Sequence, residues 1–222
     1  MIEGTLAILK KDLRIEWRTR ESISSVVVLA VLLLVVFTVA HDPTPETAPT
    51  LGPSVLWATF VLTGLLGVQR GFLLERENDC LAGLLTSPLD PASIYLGKVA
   101  ANVVLLASMQ AVVVPLIALF LHVSVAGALP GLVAVLALGN VGFASLATLF
   151  AAVAVRLRAR EVMLPVLLLP LLVPLLIGSV QATQAVLASG IGAAREAIAV
   201  LLAFDVIFGV AGWLLFAYVV RD

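Results

Sequence analysis

Charge is what this sequence has least of. Only 12% of its 222 residues are Asp, Glu, Lys or Arg, against about 25% in a soluble domain. A surface built with half the usual charge would aggregate in water. Cysteine is almost absent as well: Cys80 is alone, which excludes an internal disulfide framework. The 13 basic and 14 acidic residues leave a net charge of −1, so no basic field exists to gather phosphates, and a nucleic-acid binder is disfavoured. Catalytic signatures are missing too. The chain has no G-x-S-x-G elbow, no H-E-x-x-H pair and no D-x-x-D carboxylates in or beside an apolar run. The run Tyr95-Leu96-Gly97-Lys98-Val99 looks like the end of a phosphate loop. It lacks the Ser or Thr after Lys98 and carries Ala92 where the first Gly belongs. No catalytic residue is assigned, and any ATP chemistry must come from another subunit.

What is present is apolar sequence, 62% of the chain. A helix needs about 20 mostly apolar residues to cross about 30 Å of hydrocarbon. Six segments meet that length, at 23–40, 53–68, 99–121, 130–155, 162–180 and 198–220. The expected fold is therefore an all-α integral membrane protein with six transmembrane helices in a single domain, 1–222. Lys10, Lys11, Arg14, Arg18 and Arg20 precede the first span. Arg70, Arg76 and Lys98 lie between the second and third, Arg156, Arg158 and Arg160 between the fourth and fifth, and Arg221 follows the sixth. All twelve fall on one side and only Arg195 on the other, which places both termini in the cytoplasm by the positive-inside bias. The first span is expected to be retained, because its basic leader contains Glu3, Asp12, Glu16 and Glu21 and no cleavage pattern follows. Cys80 then sits on the reducing side as a free thiol.

The segments between spans carry further expectations. Residues 1–21 place Leu6, Leu9, Leu13 and Trp17 at helical spacing opposite Lys10, Lys11, Arg14 and Arg18. This reads as an amphipathic helix in the inner interface, near anionic headgroups, rather than an extension of the first span, because Ser22, Ser24 and Ser25 mark a break. The outer stretch His41–Gly52 is expected to be a short ordered loop without helix, since Pro43, Pro45 and Pro49 push their predecessors to extended backbone. Between the second and third spans, 70–98 reads as two short cytoplasmic helices joined by Ser-Pro-Leu-Asp-Pro, with Asp90 able to cap the second. Leucines on a charged helix there suit either a partner's groove or the chain's own helix ends.

Within the spans, Gly139, Gly142, Ala144, Ser145, Ala147, Thr148, Ala151 and Ala152 form a surface for close helix approach. Pro165, Pro170 and Pro174 suit a helix that bends or breaks near its outer end. Asp205 lies about seven residues into the sixth span, roughly 11 Å deep, where an ionised carboxylate is costly. It reads either as a polar contact on a translocation or gating route or as a structural interhelical hydrogen bond. Gln110, Asn102 and Asn140 read as interhelical bonds. His41 and His122, both on the outer face, are candidate haem ligands; no metal cluster has a recognisable spacing.

The stretch ERENDCLAGLLTSPLDPASIYLGK, from Glu75 to Lys98, resembles the E-x-E-x-x-x-L-x-x-L-L-x-S-P pattern of ABC exporter permeases of the second export class. More narrowly, with the fifth-span run LPVLLLPLLVPLLIGSVQAT, the chain's length and its basic N-terminus, it is similar to the cytochrome c maturation protein B (CcmB) family over essentially the whole chain. It departs from the pattern at Asp79 and Cys80, where many relatives carry Gly and Ser or Thr. The resemblance implies a non-enzymatic permease subunit of the bacterial inner membrane. Glu77, Asn78, Leu81, Leu84 and Leu85 would contribute to a coupling helix that docks on an ATPase. It also implies a CcmA-like ABC ATPase, a CcmC-like haem-handling membrane subunit, a small accessory protein and two permease copies per complex. Haem enters as cargo and not as a bound cofactor, with ATP driving either haem export or release of a haem-loaded periplasmic chaperone. The competing readings are a permease for a drug, lipid or polysaccharide, and a membrane scaffold that works without an ATPase.

Overall fold

In hydrocarbon every backbone N–H and C=O must find its partner within the segment itself, which leaves helices as the solution for an apolar chain of this kind. The computed structural model describes residues 2–19, 21–41, 44, 46–77, 90–121, 123, 125–154 and 160–221, and there is no strand among them. They form seven α-helices: α1 (Ile2–Thr19), α2 (Glu21–His41), α3 (Ala48–Glu77), α4 (Pro91–Phe120), α5 (Leu129–Ala154), α6 (Arg160–Ser189) and α7 (Arg195–Arg221). Short 3₁₀ turns at Ala126–Ala128 and Ile191–Ala194 lead into α5 and α7. The chain is an all-α membrane protein. Among the described residues, α3 to α7 each hold an apolar stretch long enough to cross a bilayer. The remaining expected span, the first, falls on α2, whose apolar part is Val27–Ala40 within a helix of 21 residues, about 31 Å long.

Several element ends differ from the sequence expectation. The loop after α2 is shorter than expected, because α3 already begins at Ala48. Thr44 and Thr47 explain this. The Thr44 amide donates to Thr47 Oγ1 at 3.0 Å and the Thr47 amide to Thr44 Oγ1 at 3.4 Å, a reciprocal capping arrangement that starts a helix despite the prolines around it. Pro49 then falls in the first turn, where its missing N–H would have had no partner. Of 70–98, residues 78–89, where most of the first expected short helix and the Ser-Pro-Leu-Asp-Pro turn fall, lie outside the described residues; 70–77 form the end of α3, and α4 starts at Pro91 and continues through the third span. Asp90 does occupy the N-cap position of α4, but its carboxylate makes no capping bond; its backbone carbonyl accepts from Ser93 and Ile94 at 2.9 and 3.2 Å. The three prolines of α6 do not break it. The helix stays continuous for 30 residues, with Pro170 and Pro174 on its exposed side and Leu168, Leu172 and Leu175 buried opposite. The break comes at Gly190, whose φ of 82° is backbone that glycine adopts at no steric cost.

Consecutive membrane helices alternate in direction, and α5 sits among α4, α6 and α7 while α3 lies between α2, α4 and α6. Without a hydrophobic driving force between helices in lipid, association depends on fit and on polar contacts. Large side chains therefore enter places that small residues leave open. Trp57 of α3 lies so close over Gly139 that a Cβ there would run into its ring. The same indole donates to Thr183 Oγ1 of α6 at 2.9 Å and meets Phe60 edge-on with centroids 5.1 Å apart. Phe143 and Leu106 close around Gly64. On the α4–α5 face two polar pairs repeat in one antiparallel register: Asn102 donates to Thr148 at 3.0 Å, and Asn140 donates to Gln110 at 2.8 Å. Eight residues separate the pairs on each helix, so they lie about 12 Å apart.

The helix α1 packs along α4. Ile8 is buried, whereas Leu6 is exposed. Ile8 seats against Gly97 of α4, where a Cβ would lie 2.8 Å from that of Ile8, and Thr5 Oγ1 donates to the Ser93 carbonyl at 3.4 Å.

Glycine positions separate tight from open packing, and this is testable. Gly139→Val is expected to destabilise the protein in detergent by about 1–3 kcal/mol through overpacking against Trp57. Gly209→Ala, with nothing within 4 Å of the new methyl, is expected to be neutral or to gain up to about 1 kcal/mol in helix propensity. Denaturant unfolding followed by tryptophan fluorescence compares the two; equal effects would contradict the packing described.

Candidate functional site

Two regions carry the candidate residues, and the described coordinates reach them unequally. Of the segment between the second and third spans, Glu77 is the last residue of α3. Asn78, Leu81, Leu84 and Leu85 lie outside the described residues. What frames them is described: α3 and α4, at 30 residues each, extend about 45 Å. Both exceed the hydrocarbon thickness, and their Glu77 and Pro91 ends reach the same end of the bundle as the ends of α1 and α7. His41 closes α2 at the opposite end, and His122 falls outside the described residues. Among the described residues no three His, Cys, Asp or Glu side chains gather as a metal site.

The second region is the seam between α5 and α7, which run parallel. Asp205 stands on α7 against Gly142 of α5. A Cβ at Gly142 would lie 2.5 Å from the Asp205 Oδ1, 2.8 Å from Leu175 Cδ1 and 3.1 Å from Phe204 Cδ1. Glycine is thus what lets the carboxylate approach the α5 backbone. Oδ1 is buried without a hydrogen-bond partner, so the expected interhelical hydrogen bond is not formed at that atom. Gln110 and Asn140 bond to each other, with Gln110 Nε2 and Asn140 Oδ1 left over.

Sequence reasoning passed over the residue that closes this seam. Tyr95, noted only as part of a failed phosphate-loop match, is 1% exposed. Its hydroxyl donates to the Ser145 carbonyl at 3.1 Å and lies 3.5 Å from the Phe208 carbonyl. Its ring covers Gly212, where a Cβ would collide with it, and tilts against Phe216 at 5.5 Å. The usable signal was Gly212, one turn before Phe216, but no periodicity in α4 announces that Tyr95 enters the gap.

The CcmB protein family model matches residues 3–221 of the chain. Heme exporter protein B of Paracoccus denitrificans is 34% identical over 180 residues, covering 80% of this chain and 81% of that protein. The proteins of the same name from Bradyrhizobium diazoefficiens and Pseudomonas aeruginosa are 30% and 28% identical, over 82% and 80% of this chain and 81% and 79% of theirs.

Two outcomes check the polar contacts. In a double-mutant cycle of Gln110→Leu and Asn140→Leu, the coupling energy measured by unfolding in detergent is expected at about 0.6 kcal/mol and no more than about 1.7 kcal/mol. For Asp205, whose Oδ1 accepts no hydrogen bond, Asn is expected to be as damaging as Ala in an assay of c-type cytochrome formation. Full activity of Asp205→Asn alone would show that hydrogen bonding is its contribution.

Proposed function

The chain belongs to the CcmB family, and on that premise we propose that it is the haem-export membrane subunit of an ABC complex for cytochrome c maturation. ATP hydrolysis by a separate CcmA-like subunit is coupled through this chain either to haem export or to release of a haem-loaded periplasmic chaperone. The observation that carries the reading is the family match over residues 3–221, joined by relatives whose name is Heme exporter protein B. The chain works without catalytic groups of its own, beside a CcmC-like haem-handling membrane subunit and a small accessory protein, with two copies of the permease per complex.

The placement of elements supports a docking role for the connection between α3 and α4. Both helices are longer than a bilayer requires, so their Glu77 and Pro91 ends carry the connection clear of the lipid. Glu77, Asn78, Leu81, Leu84 and Leu85 combine polar residues with leucines, the composition of a helix received by a partner's groove. The concentration of Lys and Arg at this end of the bundle makes it the cytoplasmic end, where ATP is available. Both termini lie there, in the bacterial inner membrane. On this orientation α1 is an interfacial helix: Ile8 holds it to α4, Leu6 is left exposed and Lys10 and Arg14 are exposed beside it, a division suited to acyl chains and anionic headgroups. His41, the last residue of α2, marks the opposite, periplasmic end, where haem would be handed over.

Charge reversal Glu77→Lys, or Leu84→Asp, is expected to abolish co-purification of the ATPase while leaving membrane insertion intact. Retention of the ATPase by both variants would remove the docking assignment. Deletion of the gene is expected to eliminate c-type cytochromes, with recovery on re-expression. Normal cytochrome levels in the deletion strain would leave the permease fold but assign it another cargo.

A further inference from the structure

We propose that Tyr95 is the positioning residue through which movement at the Pro91 end of α4 reaches the α5–α7 seam that holds Asp205; this rests on the ATPase-coupled reading above. Three observations converge on it. The first is location. Tyr95 lies four residues after Pro91, the first residue of α4, about 6 Å along the helix. A displacement imposed at that helix end therefore arrives at Tyr95 with little flexible backbone between.

The second is the hydroxyl. A phenol has one proton to donate, and two backbone carbonyls on different helices stand within reach: Ser145 of α5 at 3.1 Å and Phe208 of α7 at 3.5 Å. In the arrangement seen the nearer carbonyl holds the proton. A shift of a few tenths of an ångström by α4 towards α7 reverses the preference, so the hydroxyl serves α5 or α7 but not both fully. The ring cannot slip aside to avoid the choice, because Gly212 beneath it and Phe216 beside it fix its plane.

The third is what the two carbonyls neighbour. Ser145 is three residues beyond Gly142 on α5, and Phe208 is three beyond Asp205 on α7. The Gly142–Asp205 contact and the Tyr95 hydroxyl are thus successive points of one parallel seam, about 4.5 Å apart along it. Prising α5 from α7 at Tyr95 opens the place where the Asp205 carboxylate rests on glycine. On its other side the same part of α4 is braced: Gly97 receives Ile8, and Ser93 accepts from Thr5. A push at Pro91 therefore meets α1 behind and the seam in front.

The test uses the chain purified in complex with its ATPase, and the same variants in a strain deleted for the gene. Three quantities are read: ATPase captured, ATP turnover of the complex, and c-type cytochrome formed. Tyr95→Phe keeps the ring and removes the hydroxyl. It is expected to accumulate, capture the ATPase and turn over ATP as the parent does, while cytochrome formation falls about tenfold, the scale of one lost hydrogen bond. Gly212→Ala keeps the tyrosine but pushes its hydroxyl and ring out of their position, and is expected to give the same split between ATP turnover and output. Unchanged cytochrome formation in Tyr95→Phe overturns the proposal. So does loss of accumulation or of ATPase capture in that variant, because the hydroxyl would then serve folding or assembly. A parent chain that captures no ATPase refutes the coupled reading itself, and is recognised before any variant is compared.

Discussion

The approach of large side chains to the glycine and small-residue surface of α5 is the contact on which the rest of this bundle depends. Lipid offers helices no hydrophobic reason to associate, so what holds them is dispersion at close range and a few polar bonds. Three helices use α5 in this way. Trp57 from α3 lies over Gly139, Asp205 from α7 lies over Gly142, and Tyr95 from α4 reaches the Ser145 carbonyl. At Gly139 and Gly142 the approach uses the absence of a side chain, since a Cβ there would meet Trp57 or Asp205, and Tyr95 uses the corresponding gap at Gly212 of α7.

The same arrangement accounts for where polarity is tolerated at depth. Asn102 and Gln110 find Thr148 and Asn140 because α4 and α5 keep one register over two full turns between the pairs. Trp57 finds Thr183. Asp205 Oδ1 is enclosed without a partner, as are Gln110 Nε2 and Asn140 Oδ1, but for a carboxylate in a membrane the condition is more expensive than for an amide.

Much of the fold was legible because it rests on composition and length. Apolar runs of about 20 residues in a chain with little charge predict membrane helices, and the all-α architecture follows. The small residues of α5 announced a packing surface, though not its partners. The misreadings share a cause. Proline was taken as punctuation after α2 and inside α6. Paired threonines outweighed it at the start of α3, and α6 stays a continuous helix through Pro165, Pro170 and Pro174. In α1 the amphipathic pattern was legible, but not that Ile8, outside the leucine stripe, is the residue that meets Gly97 of α4.

The sequence by itself determined the class of protein, the number and approximate place of its apolar segments, and the side on which its basic residues gather. These depend on sums over many residues, which no single contact can overturn. Only the tertiary structure decided that Tyr95 closes a seam, that Gly142 carries Asp205 and that Ile8 fastens α1. Such contacts depend on the register of helices far apart in the chain. Register is set by shape at a few positions, where one glycine across the bundle decides what may enter.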